Sequence, residues 1–294
     1  MSEGKKNLLV SFSGGETSAF MAQWLLKHKQ DEFNMVFVFA NTGEENEETL
    51  EFVEKCNKHF GLNVHWVEAV VHHGQRKGTT HKVVDFKTAS RNGEPFENII
   101  SKYGIPNQAF PHCTRETKLN PITSFTKEYF GSKDYYTAIG IRSDEADRMN
   151  AKHKENKLIY PLISKDFVPM TKPKINFYWN QQPFRLNLKG YQGNCKTCWK
   201  KSDKKLYVIA QENPEYFDFM NRMEEKYPRV GAEFKKDKSC NDRVFFRKNR
   251  TAKDILKESK DFAGMVKDDA QVYDIELDLF ESESCEVWSN CGDK

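Results

Sequence analysis

The chain has 294 residues, 38% hydrophobic and 30% charged with the two signs interleaved, a balance that excludes a disordered tail and fits a globular enzyme. A net charge of +3 is too small to call for nucleic acid or an anionic surface on composition alone. No apolar run approaches the ~20 residues of a membrane-spanning helix, so no membrane partner is expected.

The opening Met1-Ser2-Glu3-Gly4-Lys5-Lys6 leads straight into a strand and not into a signal-peptide apolar region, which predicts a cytoplasmic protein. Residues 7–12 read as a strand buried on both faces, because the apolar run is unbroken after Asn7. A glycine-bearing loop follows, then a helix over 19–29, a second buried strand over 35–40 and a second helix over 44–60 that Gly61 ends. A third strand is expected at 64–67, helices at 96–103 and 114–129, a fourth strand at 135–141 and a short fifth within 158–162. The β-α-β-α-β alternation predicts an α/β fold, a parallel sheet with helices on both faces. Near Phe167 proline and aromatics rise, which divides the chain into residues 1–165 and a smaller cysteine-bearing region, 166–294, with helices at 204–211 and 216–227.

The loop Ser13-Gly14-Gly15-Glu16-Thr17-Ser18 stands where open parallel sheets bind ligands, beyond the carboxyl end of a strand and at the start of a helix. Glycines there let the backbone approach phosphate oxygens, and Ser11, Ser13, Thr17 and Ser18 supply hydroxyls. No lysine follows in the Walker frame, and the third glycine of a dinucleotide fingerprint is missing. The loop resembles the Ser-Gly-Gly-x-Thr/Asp-Ser pyrophosphate loop (PP-loop) of ATP pyrophosphatases and sulfonucleotide reductases. Asn41-Thr42-Gly43-Glu44-Glu45 with Glu48-Thr49-Leu50 is similar to the Asp-Thr-Gly…Glu-Thr segment of the phosphoadenosine phosphosulfate (PAPS) reductase-like family. Gly140-Ile141-Arg142-Ser143-Asp144-Glu145 and Arg148 resemble its Gly-Ile-Arg-x-x-Glu segment.

That resemblance, over about the first 165 residues, implies an adenine nucleotide alpha hydrolase-like fold and an adenine nucleotide, ATP or PAPS/APS, as ligand. The cofactor-binding set would be Ser11, Ser13, Gly14, Gly15, Glu16, Thr17, Ser18, Asn41, Thr42, Gly43, Gly140, Arg142 and Arg148, with Ser13, Ser18 and Arg142 nearest the chemistry. Ion pairing with Asp144, Glu145 or Asp147 is the structural alternative for the two arginines.

Seven cysteines, at 56, 113, 195, 198, 240, 285 and 291, point to metal or redox chemistry before disulfides. Cys113-Thr114-Arg115-Glu116-Thr117-Lys118-Leu119-Asn120-Pro121 is similar to the Cys-Cys…Lys-x-x-Pro segment of the family's iron–sulfur branch, with Thr114 in place of the second cysteine. Cys195-Lys196-Thr197-Cys198 stands where that branch has its Cys-x-x-Cys. The resemblance implies a [4Fe–4S] cluster on Cys113, Cys195, Cys198 and a fourth ligand, Cys285 before Cys291, Cys240 or His112; zinc and free thiols are the alternatives. Cys56 reads as a small buried hydrophobe. The Ser-Cys-Glu-Val-Trp tail lacks the histidine of the reductases' catalytic Glu-Cys-Gly-x-His.

Two basic clusters, Lys200/Lys201/Lys204/Lys205 and Arg243/Arg247/Lys248/Arg250 around Phe245 and Phe246, suit either a nucleic-acid strand or a solvated helix face. Residues 76–82 read as a lid over phosphates or a polar loop. The functional expectation is ATP cleavage with Mg²⁺ between the α and β phosphates. A substrate oxygen is adenylated for sulfur or nitrogen transfer, on a nucleobase or nucleic-acid acceptor, with a sulfur or thiol donor protein and a possible homo-oligomer. Thiol-dependent PAPS or APS reduction is the alternative, and a non-catalytic nucleotide sensor the third reading.

Overall fold

The computed structural model describes residues 4–270 apart from 75, 76, 194 and 238. Its strands, in chain order, are β1 (Lys6–Ser11), β2 (Phe33–Asn41), β3 (His65–Val71), β4 (Thr79–Val84), β5 (Tyr136–Ala138) and β6 (Leu158–Ile159). They form one sheet in the order β4-β3-β2-β1-β5-β6, parallel throughout except for β4, which runs antiparallel to β3 at one edge. The helices of the first part are α1 (Glu16–Lys29), α2 (Glu47–Phe60), α3 (Glu94–Tyr103), α4 (Asn120–Phe130) and α5 (Lys172–Asn180). Further along lie α6 (Asp203–Glu212), α7 (Asp218–Lys226), the short α8 (Glu233–Lys236) and α9 (Ala252–Ser259).

Side chains alternate across a strand, so an apolar run with no polar break must face two covered sides. Leu8, Val10, Phe37 and Phe39 enter a core with Phe20, Met21 and Leu25 of α1, Leu50, Phe52 and Val53 of α2, and Trp179 of α5. Their neighbours Leu9, Val36 and Val38 enter the opposite core with Ile122 and Phe125 of α4. A third cluster joins Phe96, Ile100 and Ile105, from before residue 165, to Leu206, Ile209, Phe217, Phe219, Phe245 and Ile255. Met170, Ile175 and Trp179, from beyond 165, belong to the first core. Both sides of that expected boundary therefore contribute to shared cores.

Where 76–82 read as a lid or polar loop, residues 79–84 form β4. Its polar side chains are those of an edge strand: Lys82 Nζ lies 2.8 Å from the buried Glu68, and Thr80 pairs with His72. The segment 172–180, where sequence showed only proline and aromatics, is the helix α5. Pro173 sits in its first turn, where the missing N–H costs nothing, and Ile175, Asn176 and Trp179 are buried. The helix expected over 114–129 is a π-helical turn, Arg115–Leu119, continuing into α4.

Part of each basic cluster is turned inward. Arg243 is buried, stacks 3.7 Å over the Phe110 ring, donates to the Tyr103 carbonyl and pairs with Glu233. Arg250 is buried between Asp203 and Glu258. Lys201 is buried and donates to the Tyr191 carbonyl at 3.0 Å, and Arg247 donates to the carbonyls of Lys200 and Lys201. These cations tie loop carbonyls, the end of α3 and nearby carboxylates together. Lys204 and Lys248 of the same clusters are exposed.

Candidate functional site

From β1 the chain proceeds to β2 and β3 on one side, then returns to place β5 on the other. The crevice beyond the carboxyl ends of β1 and β5 is thus a topological switch point, where such sheets bind ligands. The loop after β1 occupies it. Gly14 has φ +86°, and a Cβ there would lie 2.7 Å from Thr49 Cγ2 and 3.0 Å from the Phe39 ring. Only glycine fits. Gly15 is the N-cap of α1 with no side-chain cap, so the first amides of the helix are left without side-chain or intrahelical acceptors. Gly140, just after β5, lets that strand end approach: a Cβ would stand 3.2 Å from Ser18 Cα.

Among the loop hydroxyls, Ser18 is fully buried; its Oγ accepts from Ser13 N at 3.1 Å, lies 3.0 Å from Ser13 Oγ and donates to the Gly15 carbonyl. Ser18 therefore shapes the loop from within, while Ser13, Gly15 and Thr17 are half-buried at its surface. Ser11 is buried at the end of β1. The Glu16 side chain leaves the crevice: its carboxylate accepts from Arg185 Nε and Nη2 at 3.0 and 3.1 Å and from Leu186 N at 3.2 Å. Burial raises the Glu16 pKa, and Arg185 opposes the rise.

At the end of β2, Asn41 donates to the Glu68 carboxylate and the Ser90 carbonyl. Thr42 is held by Glu45, whose carboxylate accepts from both the Thr42 amide and hydroxyl at 2.9 Å. Gly43, at φ +83°, lets its carbonyl accept from Gly93 N, and a Cβ there would meet the Gly93 backbone at 2.9 Å. Arg142 is buried; its Nη2 lies 2.9 Å from Asp144, its Nη1 3.2 Å from Glu145, and Nη1 reaches Thr17 Oγ1 at 3.4 Å. Arg148 lies 2.6 Å from Glu145. Both arginines are thus engaged with carboxylates, and Arg142 also touches the loop.

Beside Thr42 opens a small cleft in which Cys113, Cys195 and Cys198 all take part, with Phe96, Lys118 and Trp199. Cys195 is brought there by a β-bridge to Glu45 and by the Lys196 amide donating to the Glu44 carbonyl at 2.9 Å; its Sγ lies 3.7 Å from Thr42 Oγ1. Desolvation and the nearby Glu45 charge push the Cys195 thiol well above the usual range, against the pull of Lys118. Burial also pushes Glu44 up to about 8. Cys240 and His112 do not line the cleft. His112 Nε2 bonds the Gly104 carbonyl, and burial lowers its pKa to about 4, so the ring is neutral. Cys56 is fully buried, with its thiol pKa raised by desolvation.

Among the described residues no three His, Cys, Asp or Glu side chains come together closely enough to hold one metal ion. The three thiols share a cleft without forming a ligand set, so no step is derived through a cluster or zinc. Cys285 and Cys291 lie outside the described residues.

Sequence reading missed Glu45, although Thr42-x-x-Glu45 has the spacing of a capping box and carried the signal. It also missed the Arg185 partner of Glu16 and the cleft walls Phe96 and Trp199, which come from distant segments and leave no local pattern.

Residues 7–158 match the family model described as "Phosphoadenosine phosphosulfate reductase domain". The chain is 37% identical over 208 residues to a nin region protein of Escherichia phage lambda, with 69% of each chain covered. Two proteins of Methanocaldococcus jannaschii are 28% and 27% identical over 156 and 163 residues, which span 53% and 52% of this chain but only 27% and 32% of theirs. All three relatives are described as uncharacterized, so none brings a reaction with it. Among the described residues no helix is long and apolar enough to cross a membrane.

Proposed function

Because the chain belongs to the phosphoadenosine phosphosulfate reductase domain family, whose members bind adenine nucleotides on a PP-loop α/β fold, we propose that it is an ATP pyrophosphatase that adenylates its substrate. The observation that carries this reading is the uncapped start of α1 behind Gly14 and Gly15, at the switch point of the sheet. Backbone N–H groups fixed there meet a departing pyrophosphate without reorganising, the usual source of large transition-state stabilisation. Ser13 and Thr17 add hydroxyl donors on the same side.

In the proposed step, the acceptor's carbonyl oxygen attacks the α-phosphorus of MgATP. The α–β bridging bond breaks, and pyrophosphate leaves with the bond's electron pair. A sulfur or nitrogen nucleophile then attacks the activated carbon, and AMP departs with the former carbonyl oxygen. Arg142, in contact with Thr17, is the cation assigned to the phosphates in this scheme. A [4Fe–4S] cluster on Cys113, Cys195 and Cys198 would need a fourth thiol from the tail, and no step is assigned to it.

A second reading, thiol-dependent reduction of PAPS or APS, is favoured by Cys195 lying 3.7 Å from Thr42. Its raised pKa keeps that thiol protonated at neutral pH, which opposes attack on sulfur. Purified protein with MgATP and an acceptor is expected to release pyrophosphate and AMP in equal amounts. Sulfite from PAPS plus a dithiol, without pyrophosphate, overturns adenylation in favour of reduction. Binding of ATP with no product in either assay would leave a sensor.

A further inference from the structure

Cys195 and Cys198 are the two ends of one turn, in which the Cys198 amide donates to the Cys195 carbonyl at 3.2 Å. Such a turn holds its end Cα atoms within about 7 Å, and a disulfide spans about 4.4–6.8 Å. Both residues line the same small cleft, so the two side chains share one space. The backbone of the turn is pinned on both sides. Cys195 is bridged to Glu45 and the Lys196 amide donates to the Glu44 carbonyl at 2.9 Å, while the Lys201 amide donates to the Cys198 carbonyl at 3.0 Å. Thr197, between the cysteines, is fully buried. Thiols fixed in this way meet without the loss of chain freedom that closing a flexible loop costs. The Thr42 hydroxyl has one proton and donates it to Glu45, so in the 3.7 Å contact with Thr42 the Cys195 S–H is the donor. The cleft that both cysteines line admits a water-sized molecule and nothing as large as a nucleotide.

We propose that Cys195 and Cys198, which with Cys113 form no metal ligand set among the described residues, are instead a dithiol that closes to a disulfide with hydrogen peroxide as oxidant. Cys198 attacks first, because the Cys195 proton is committed to Thr42. The Cys198 sulfur takes one peroxide oxygen, the O–O bond breaks, and the other oxygen leaves as water with the Cys198 thiol proton. The Cys195 sulfur then attacks the sulfenic acid on Cys198. The S–O bond breaks, the S–S bond forms, and a second water leaves with the Cys195 proton. The dithiol gives up two electrons, and the peroxide is reduced to two waters. Ring closure removes the S–H that Thr42 accepts, so the oxidation state of the turn is felt at the end of β2. None of these steps needs ATP.

The test is a peptide map of the full chain, reduced, desalted and treated with equimolar hydrogen peroxide. Trypsin cuts after Lys196, so the two cysteines fall on separate peptides, 190–196 and 197–200. These are expected to stay joined in the unreduced digest and to separate after dithiothreitol. Cys195→Ser keeps a donor for Thr42 but cannot close the ring, and dimedone is then expected to trap a sulfenic acid on 197–200. A folded variant with no such adduct overturns the order of attack; if the variant does not fold, the wild-type map decides alone. Joining of either peptide to 103–115, which carries Cys113, overturns the pairing. Two unlinked peptides after peroxide overturn the dithiol itself. So does stoichiometric iron or zinc in the purified protein that Cys198→Ser abolishes.

Discussion

Gly14 and Ser18 show how little of the loop can change. At φ +86° an alanine would occupy the left-handed region and press on Thr49 and Phe39 at once. Gly14→Ala is expected to cost about 2–4 kcal/mol and to abolish nucleotide binding, as read by denaturant unfolding and ATP titration. Ser18→Ala leaves the Ser13 amide without its acceptor, a loss of about 1–3 kcal/mol. Were Ser18 a reacting group, ATP affinity would survive that change while turnover vanished; a structural role predicts that affinity falls with stability. The motif made the loop legible in sequence, but not the division of labour inside it. Six residues in a row look alike as ligand donors, and only packing shows that Glu16 turns away to Arg185 and that Ser18 faces inward.

Elements were legible where one local rule dominated. The strands β1 and β2 declared themselves by unbroken apolar runs, and α2 by its amphipathic spacing with Gly61 at its end. β4 did not, since an edge strand carries the polar residues of a loop, and α5 hid behind Pro173. The cost of misjudging α5 is functional, because the segment after it supplies Arg185. Arg185→Ala would leave the Glu16 carboxylate, at the first turn of α1, buried without its partner. Loss of about 3–5 kcal/mol is expected, with weakened ATP binding, and Glu16→Gln in the same chain should recover part of the stability.

A second element-scale prediction concerns α7. Glu224 accepts the amides of Phe245 and Ala252, and burial raises its pKa to about 7. Between the unfolded value of about 4.5 and 7 the folded state holds the extra proton, so stability is greatest below that window and falls as pH rises through it. Glu224→Gln removes this titration. Its unfolding midpoint should trail the wild type most at pH 5, with the gap narrowing or reversing by pH 8. A gap independent of pH would refute the assignment.

At the scale of the molecule, the sequence announced a nucleotide half and a cysteine half, and the chain interleaves them. Three cysteines more than eighty residues apart in part reach one cleft because α3 and the C-terminal helices share a core. No spacing rule could have paired Phe96 with Trp199, since nothing local links them. The basic clusters hid a related feature: Arg243 and Arg250, surface charges on paper, are themselves buried and paired with carboxylates nearer the surface.

The backbone seam between Glu44–Glu45 and Cys195–Lys196 has a thermodynamic corollary. A ligand that favours one arrangement of this seam at the end of β2 must alter the free energy of whatever happens at the Cys195 sulfur, and the influence runs equally in reverse. Measured at equilibrium, the factor by which bound ATP changes a soft-metal or disulfide equilibrium of these thiols equals the factor by which that change alters ATP affinity. One closed cycle of four titrations would therefore tie the proposed ATP site and the Cys195 thiol to a single shared constant.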